Sequence, residues 1–193
     1  MRRDRRRDRI LDAGAELLAE RGLHGLTMRD VARRAGTSGP NLYRYVQGKE
    51  ELLYLVQQRV LERAIASAEA ALVIRGAKLQ LKSLVTDHIR RVLAFPPEGR
   101  LLQMSSADLP DHLRRRLDDL REEYLDLVRA IIAGVVREKG TKRATADRRV
   151  QLLLGMADRV ALDAADQDPP PRPDRLAAPV LDMFHGGVKA KRS

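Results

Sequence analysis

The chain has 193 residues, with 37 Lys and Arg against 27 Asp and Glu, a formal charge of +10 and an isoelectric point near 10.5. This length accommodates one domain or two small ones, and the cationic excess favours a polyanionic partner such as nucleic acid. The absence of cysteine excludes disulfides, thiolate catalysis and cysteine-based zinc sites, and it predicts a cytoplasmic setting. No apolar run approaches the roughly 18 residues of a membrane span. The arginines near the N-terminus are not followed by the apolar stretch of a secretion signal.

Hydrophobic spacing is helical almost throughout. Aromatics make up 3% of the chain and β-branched runs of period two are missing, so the predicted class is all-α with about nine helices. Ile10, Leu11, Ala13, Gly14, Leu17 and Leu18 form the stripe of the first helix, which Gly22 ends. Upstream of that stripe stand Arg2, Arg3, Arg5, Arg6, Arg7 and Arg9. They read either as a flexible arm that follows phosphates or enters a narrow minor groove, or as a solvated extension of the first helix with Asp4 and Asp8 as partners. Thr27-Met28-Arg29-Asp30 is a capping-box sequence that opens a short second helix, which stops at Gly36. A third begins near Ser38, with Pro40 in its first turn, and runs to Gly48.

Lys49 opens a helix to about Arg75, with Leu52, Leu53, Val56, Val60, Leu61 and Ile65 on its apolar face. Further helices are predicted over about 77–95, ending at Pro96-Pro97, over about 100–107, and from Pro110 to Lys139, closed by Gly140. The last two cover about 145–165 and, after a proline-rich link, about 174–185.

A short capped helix, a tight turn through Ala35-Gly36-Thr37 and a second short helix constitute a helix-turn-helix. In such a unit the second helix enters the major groove and the first braces it across the backbone. The reading segment is 38–46, with Ser38, Gly39, Pro40, Asn41, Tyr43, Arg44 and Tyr45 as contact candidates, together with Met28 on the preceding helix. Asn41 and Arg44 suit base edges, because an amide pairs with adenine and a guanidinium with guanine.

The stretches ILDAGAELLAERG and TMRDVARRAGTSGPNLYRYVQGKEEL, within about residues 8–55, resemble the N-terminal domain of the TetR (tetracycline repressor) family of bacterial transcription regulators. The spacing of Gly22, Thr27, Ala32, Ala35-Gly36, Ser38, Leu42-Tyr43 and Lys49-Glu50 carries the resemblance. It implies a three-helix DNA-binding domain over 1–48 and a helical ligand-binding and dimerisation domain over 49–193. It also implies that Thr27 caps its helix and touches a phosphate, that Tyr43 and Lys49 contact phosphates, and that Tyr45, where the family often has His, touches backbone or base. Arg5 and Arg6 complete the expected DNA-contacting set. Two features depart from the pattern. Val46 stands where an aromatic is usual, which predicts a small core that is looser or filled by neighbours. Gly39-Pro40 removes a side chain and a backbone donor from the start of the reading helix.

Beyond about residue 56 there is no second DNA-reading motif, and the amphipathic helices must bury one another's faces. The resemblance implies that the last two helices pair with those of a second copy. The residues for this are Leu153, Leu154, Ala157, Val160, Ala161, Val180, Met183 and Phe184. An ordinary intramolecular core is the alternative for the same residues, because periodicity does not separate the two. The implied ligand pocket is lined by Leu84, His88, Leu101, Met104, Leu120, Tyr124 and Leu127, a mostly aliphatic set that suits an aliphatic effector. The Asp-Leu-Pro-Asp stretch and the arginine-rich helix after it loosely resemble regulators that bind fatty acyl-coenzyme A thioesters.

No catalytic pattern emerges. His24, His88, His112 and His185 lack metal-ligand spacing. Ser105 and Ser106 lack a nucleophile-elbow context, and no glycine-rich phosphate loop is present. No enzyme activity, metal or cofactor is therefore expected. The expected function is a sequence-specific repressor, cytoplasmic and nucleoid-associated. It acts as a homodimer on a (pseudo)palindromic double-stranded operator and is released by a small apolar effector. The alternative is an architectural or division-linked DNA-binding protein of the same fold that takes no small ligand.

Overall fold

The computed structural model describes residues 2–136 and 142–189, except for the side chains of 2–4, 102–103 and 187–189. Among the described residues there are nine helices and no strand. They are α1 (Arg2–Gly25), α2 (Met28–Arg34), α3 (Gly39–Leu42), α4 (Lys49–Leu72), α5 (Ala77–Ala94), α6 (Pro97–Gln103), α7 (Asp111–Val136), α8 (Arg143–Ala164) and α9 (Pro173–Lys189). The chain divides into two compact units, Met1–Glu62 with Arg100–Arg121, and Arg63–Gly99 with Glu122–Ser193. The expected boundary after residue 48 falls inside the first unit, and the division runs through α4, α6 and α7.

In the first unit α1 packs on α2 and α2 on α3. Ile10, Leu11, Leu17, Leu18, Leu26, Val31, Leu42, Val46, Leu52 and Leu53 are buried. Val46 is 1% exposed, so the small core closes around a valine. Gly14 sits against α4: a Cβ there would lie 2.6 Å from Cδ1 of the fully buried Leu52, so a larger residue would force Leu52 to shift. Gly22 leaves helical geometry at φ 68° and breaks α1 near its end, as its position predicts. Gly36, at φ 61°, closes α2. Its N–H donates to the Arg33 carbonyl at 3.2 Å and that of Thr37 to the Ala32 carbonyl at 2.9 Å, the two bonds of a Schellman motif.

The third helix is shorter than expected. After the turn Gly39–Leu42, the Tyr45 N–H bonds the Leu42 carbonyl three residues back, at 2.9 Å, and the chain leaves helical form before Gly48. A glycine and a proline in four residues give it little intrinsic helicity. The helix α6 starts at Pro97 rather than near residue 100, because a proline fits the first turn, where its missing N–H would have no partner. The expected end of α7 at Gly140 lies outside the described residues.

The second unit packs α5 against α8 and α9, and α8 against α9. Its core includes Leu84, Val85 and Ile89 of α5, Leu153, Ala157 and Ala161 of α8, and Val180 and Phe184 of α9. Arg129 braces α7 to α8: it bonds Glu122 at 2.8 Å and Asp126 at 2.5 Å on its own helix, and Asp147 of α8 at 2.6 Å. Burial works against its charge, but these three carboxylates outweigh that cost and hold the guanidinium protonated. No described helix is long and apolar enough to cross a membrane.

Candidate nucleic-acid interface

The entry to the helix-turn-helix is built on Thr27, whose extended backbone (φ −121°, ψ 151°) makes it the N-cap of α2. Its Oγ1 accepts the Asp30 N–H at 3.1 Å, and its hydroxyl donates to Asp30 Oδ2 at 2.7 Å. The same carboxylate takes Arg33 at 2.6 Å and has Arg21 of α1 at 3.7 Å. The Thr27 hydroxyl bond, opposed by partial desolvation and aided by the two arginines, holds the Asp30 carboxyl below the usual carboxylate range. Thr27 therefore caps as expected, and its one hydroxyl proton is already committed to Asp30.

Arg34 ties α2 to α1, bonding Glu20 at 2.5 Å and Glu16 at 3.4 Å. Its hydrogen bond is the main reason the Glu20 carboxyl is lowered. Arg59 of α4 bonds Asp12 of α1 at 2.7 Å. None of these three contacts follows from local sequence, since each joins charges far apart in the chain.

On the reading segment Ser38, Pro40, Tyr43 and Arg44 are exposed, while Gly39, Asn41 and Tyr45 are half-buried. Arg44 has no ion pair among the described residues, and Tyr43 is 53% exposed. Asn41 is less free than its chemistry suggests: its Nδ2 donates to Thr37 Oγ1 at 2.8 Å, bracing the turn. Met28 and Lys49 are half-buried. Beside Lys49, the Gln47 N–H donates to Glu51 Oε2 at 2.5 Å, so an acid of α4 itself occupies the end where a phosphate was expected. Arg5, Arg6, Arg7 and Arg9 are exposed on α1, the arrangement of the helical extension.

In the second unit five of the expected interface residues are core. Leu153, Ala157, Ala161, Val180 and Phe184 are buried within the chain itself, and of these Val180 also lines the groove between α8 and α9. Leu154 and Val160 are half-buried, and Met183 is exposed. The exposed apolar stripe lies one register over. Leu152, Gly155, Met156, Val160, Pro179 and Met183 line an open groove of about 400 Å³ between α8 and α9. The expected pocket residues are divided between the units: Leu101, Met104 and Leu120 belong to the first, and Leu84, His88, Tyr124 and Leu127 to the second. Leu84, His88, Leu101 and Tyr124 are buried, and His88 Nε2 lies 2.7 Å from Asp158 Oδ1.

Residues 10–55 match the family described as bacterial regulatory proteins, tetR family. A helix-turn-helix transcriptional repressor from Streptomyces coeruleorubidus is 49% identical over 53 residues, which are 28% of this chain. The match spans only 20% of that relative's length. Over nearly the whole chain the similarity is one of fold. The regulator FadR of Bacillus subtilis, solved with stearoyl-CoA, superposes with a TM-score of 0.70 at 20% identity, covering 93% of this chain and 97% of that one. AibR, solved with isovaleryl coenzyme A and operator DNA, gives 0.74 at 19% identity, covering 93% and 98%. The helix-turn-helix is thus matched at the sequence level, over residues 10–55, by the tetR family of bacterial regulatory proteins, and the described helices share the fold of solved regulators across nearly the whole chain.

Proposed function

We propose that the chain is a transcriptional repressor that binds operator DNA as a homodimer and releases it when a small effector enters the second unit. The observation that carries this reading is the exposed Arg44, without an ion pair among the described residues, beside Tyr43 on a capped helix-turn-helix of the matched family. Arg44 would read a base edge, while Ser38, Tyr43 and the arginines of α1 supply phosphate contacts. This reading makes the chain a regulator and not an enzyme.

The dimer would form on the stripe of Leu152, Met156 and Met183 rather than on the buried residues of α8 and α9. Gly155 supports a close approach, since nothing lies within 4 Å of where its Cβ would be. Two-fold symmetry of such a dimer requires a (pseudo)palindromic operator. Acyl-coenzyme A in two proteins of the same fold, and aliphatic residues such as Leu84 in the second unit, support an effector with an acyl chain.

The test is binding to DNA from just upstream of the gene, compared with a shuffled duplex over a range of salt. The expected result is a two-fold-symmetric footprint on the native segment alone. Arg44→Ala should then lose about 1–3 kcal/mol of discrimination at one base pair of each half-site. Equal, steeply salt-sensitive binding to both duplexes would favour the architectural alternative.

A further inference from the structure

The helix α5 carries two stripes. Leu81, Leu84, Val85, His88, Ile89 and Val92 are its buried face. A second face, from Leu79 to Arg90, is about three turns long. With Ser67, Ala70 and Ile74 of α4 it lines an open groove of about 480 Å³, wholly within the second unit. Five large apolar side chains among the described residues are exposed: Tyr43, Val73, Leu79, Leu152 and Met183. Tyr43 belongs to the reading segment, and Leu152 and Met183 to the groove between α8 and α9. The remaining pair, Val73 and Leu79, stands at the turn from α4 to α5, with Leu79 in the groove.

The groove is apolar at one end and polar along the rest. Ala70, Ile74 and Leu79 offer a hydrocarbon chain a surface to cover. Lys82, Ser83 and Thr86 follow along α5. Lys82 is exposed and has no ion pair among the described residues. Thr86 Oγ1 is shielded from water and has no hydrogen-bond partner in the described chain. Asp87 is already engaged: its Oδ2 accepts the Ser67 hydroxyl at 2.5 Å, and its Oδ1 accepts Arg90 at 2.6 Å. Arg91 adds a bond at 3.3 Å. The charge left over in the groove is therefore the cation of Lys82. A cationic head would meet Lys82 and Arg90, and a dianionic phosphate would find one unpaired cation for both its charges. A hydrocarbon without a head would leave Lys82 and the hydroxyls unused. A single carboxylate on an aliphatic chain matches both ends of the groove.

We propose that the groove between α4 and α5 binds a free aliphatic carboxylate, with its head at Lys82 and Ser83 and its chain along Ala70, Ile74 and Leu79. This site uses the face of α5 opposite the buried one, so it does not rest on the effector reading of the second unit's interior.

The experiment titrates the full-length protein, free of DNA, with decanoate, decanol and octanoate in a calorimeter. Decanoate should bind saturably, roughly three- to tenfold more tightly than decanol, the size of one partly exposed charge-assisted contact. Octanoate, shorter by two methylenes that an open groove half-buries, should bind roughly fourfold more weakly than decanoate. Lys82→Met keeps the stem of an exposed side chain and removes its charge, so it should fold. It should bring decanoate down to the level of decanol and leave decanol unchanged. Lys78→Met, exposed but outside the groove, should leave decanoate within about twofold. Methyl NMR should show shifts at Ala70, Ile74 and Leu79 on adding decanoate, and none at Leu84 and Ile89 of the buried face. No saturable binding of decanoate, equal losses in Lys82→Met and Lys78→Met, or shifts at Leu84 and Ile89 instead would each overturn the proposal. So would binding to phosphatidylglycerol vesicles that Leu79→Ser abolishes, if decanoate does not bind, since the face would then belong to a membrane surface. Failure to select the upstream DNA would count against the repressor reading alone, because no DNA enters this titration.

Discussion

At Thr27 one hydroxyl both accepts from the Asp30 backbone and donates to its carboxylate. Thr27→Ala removes both bonds and should lower stability by about 1 kcal/mol, as read by urea denaturation. Because the folded structure lowers the Asp30 pKa, its contribution is complete above the ordinary carboxylate range. It is lost as the pH falls through the depressed folded value. Following the Asp30 carboxyl by NMR during acidification should therefore show a midpoint below that of an unstructured Asp, and Thr27→Val should raise it. The capping box was legible in sequence because its partners are three residues apart. The bond from Asn41 to Thr37 and the grip of Glu51 on the Gln47 N–H are just as local, yet they compete with roles that side-chain type alone suggests. Residue chemistry names a candidate base reader, and only coordinates show that its amide is already engaged.

Among the elements, the approach of α1 to α4 depends on the missing side chain at Gly14. Gly14→Ala should cost about 1–3 kcal/mol in thermal or chemical unfolding, because the added methyl must displace the fully buried Leu52 side chain. Leu52→Val in the same chain should recover part of that loss. Helix existence was readable from apolar spacing and from glycine and proline punctuation, and α5 and α8 lie within a few residues of their expected spans. The facing of α8 and α9 was not readable. Leu152 and Leu153 are adjacent, and two stripes one register apart fit the same periodicity, so only packing decides which is core. Val160 lies between the two sets, half-buried in the single chain. Leu152→Glu with Met183→Glu should give a well-folded monomer in sedimentation experiments. A dimer that persists in the double variant would place the interface elsewhere.

At the scale of the whole molecule, the charge of +10 makes the proposed DNA binding strongly salt-dependent. Removing Arg5 and Arg6 together should reduce the salt slope by about 0.9 for each phosphate left without its arginine, with sequence preference intact. Composition favours a polyanionic partner, and a run of spaced motif residues marks the helix-turn-helix that the family model matches. The division into units, with α4 and α7 each contributing to both, left no mark in the sequence, because a helix that crosses such a division keeps one unbroken period. The ties from α1 to α2 through Arg34, and from Thr27 to Asp30, bear finally on time rather than on affinity. A reading head already braced by Arg34, Asp30 and the Schellman turn has no slow ordering step to complete on arrival at its site. Stopped-flow mixing should therefore show single-phase association that slows steeply as salt rises and remains proportional to protein concentration. Weakening the braces with Arg34→Gln should introduce a second, concentration-independent phase while the initial encounter stays as fast as before.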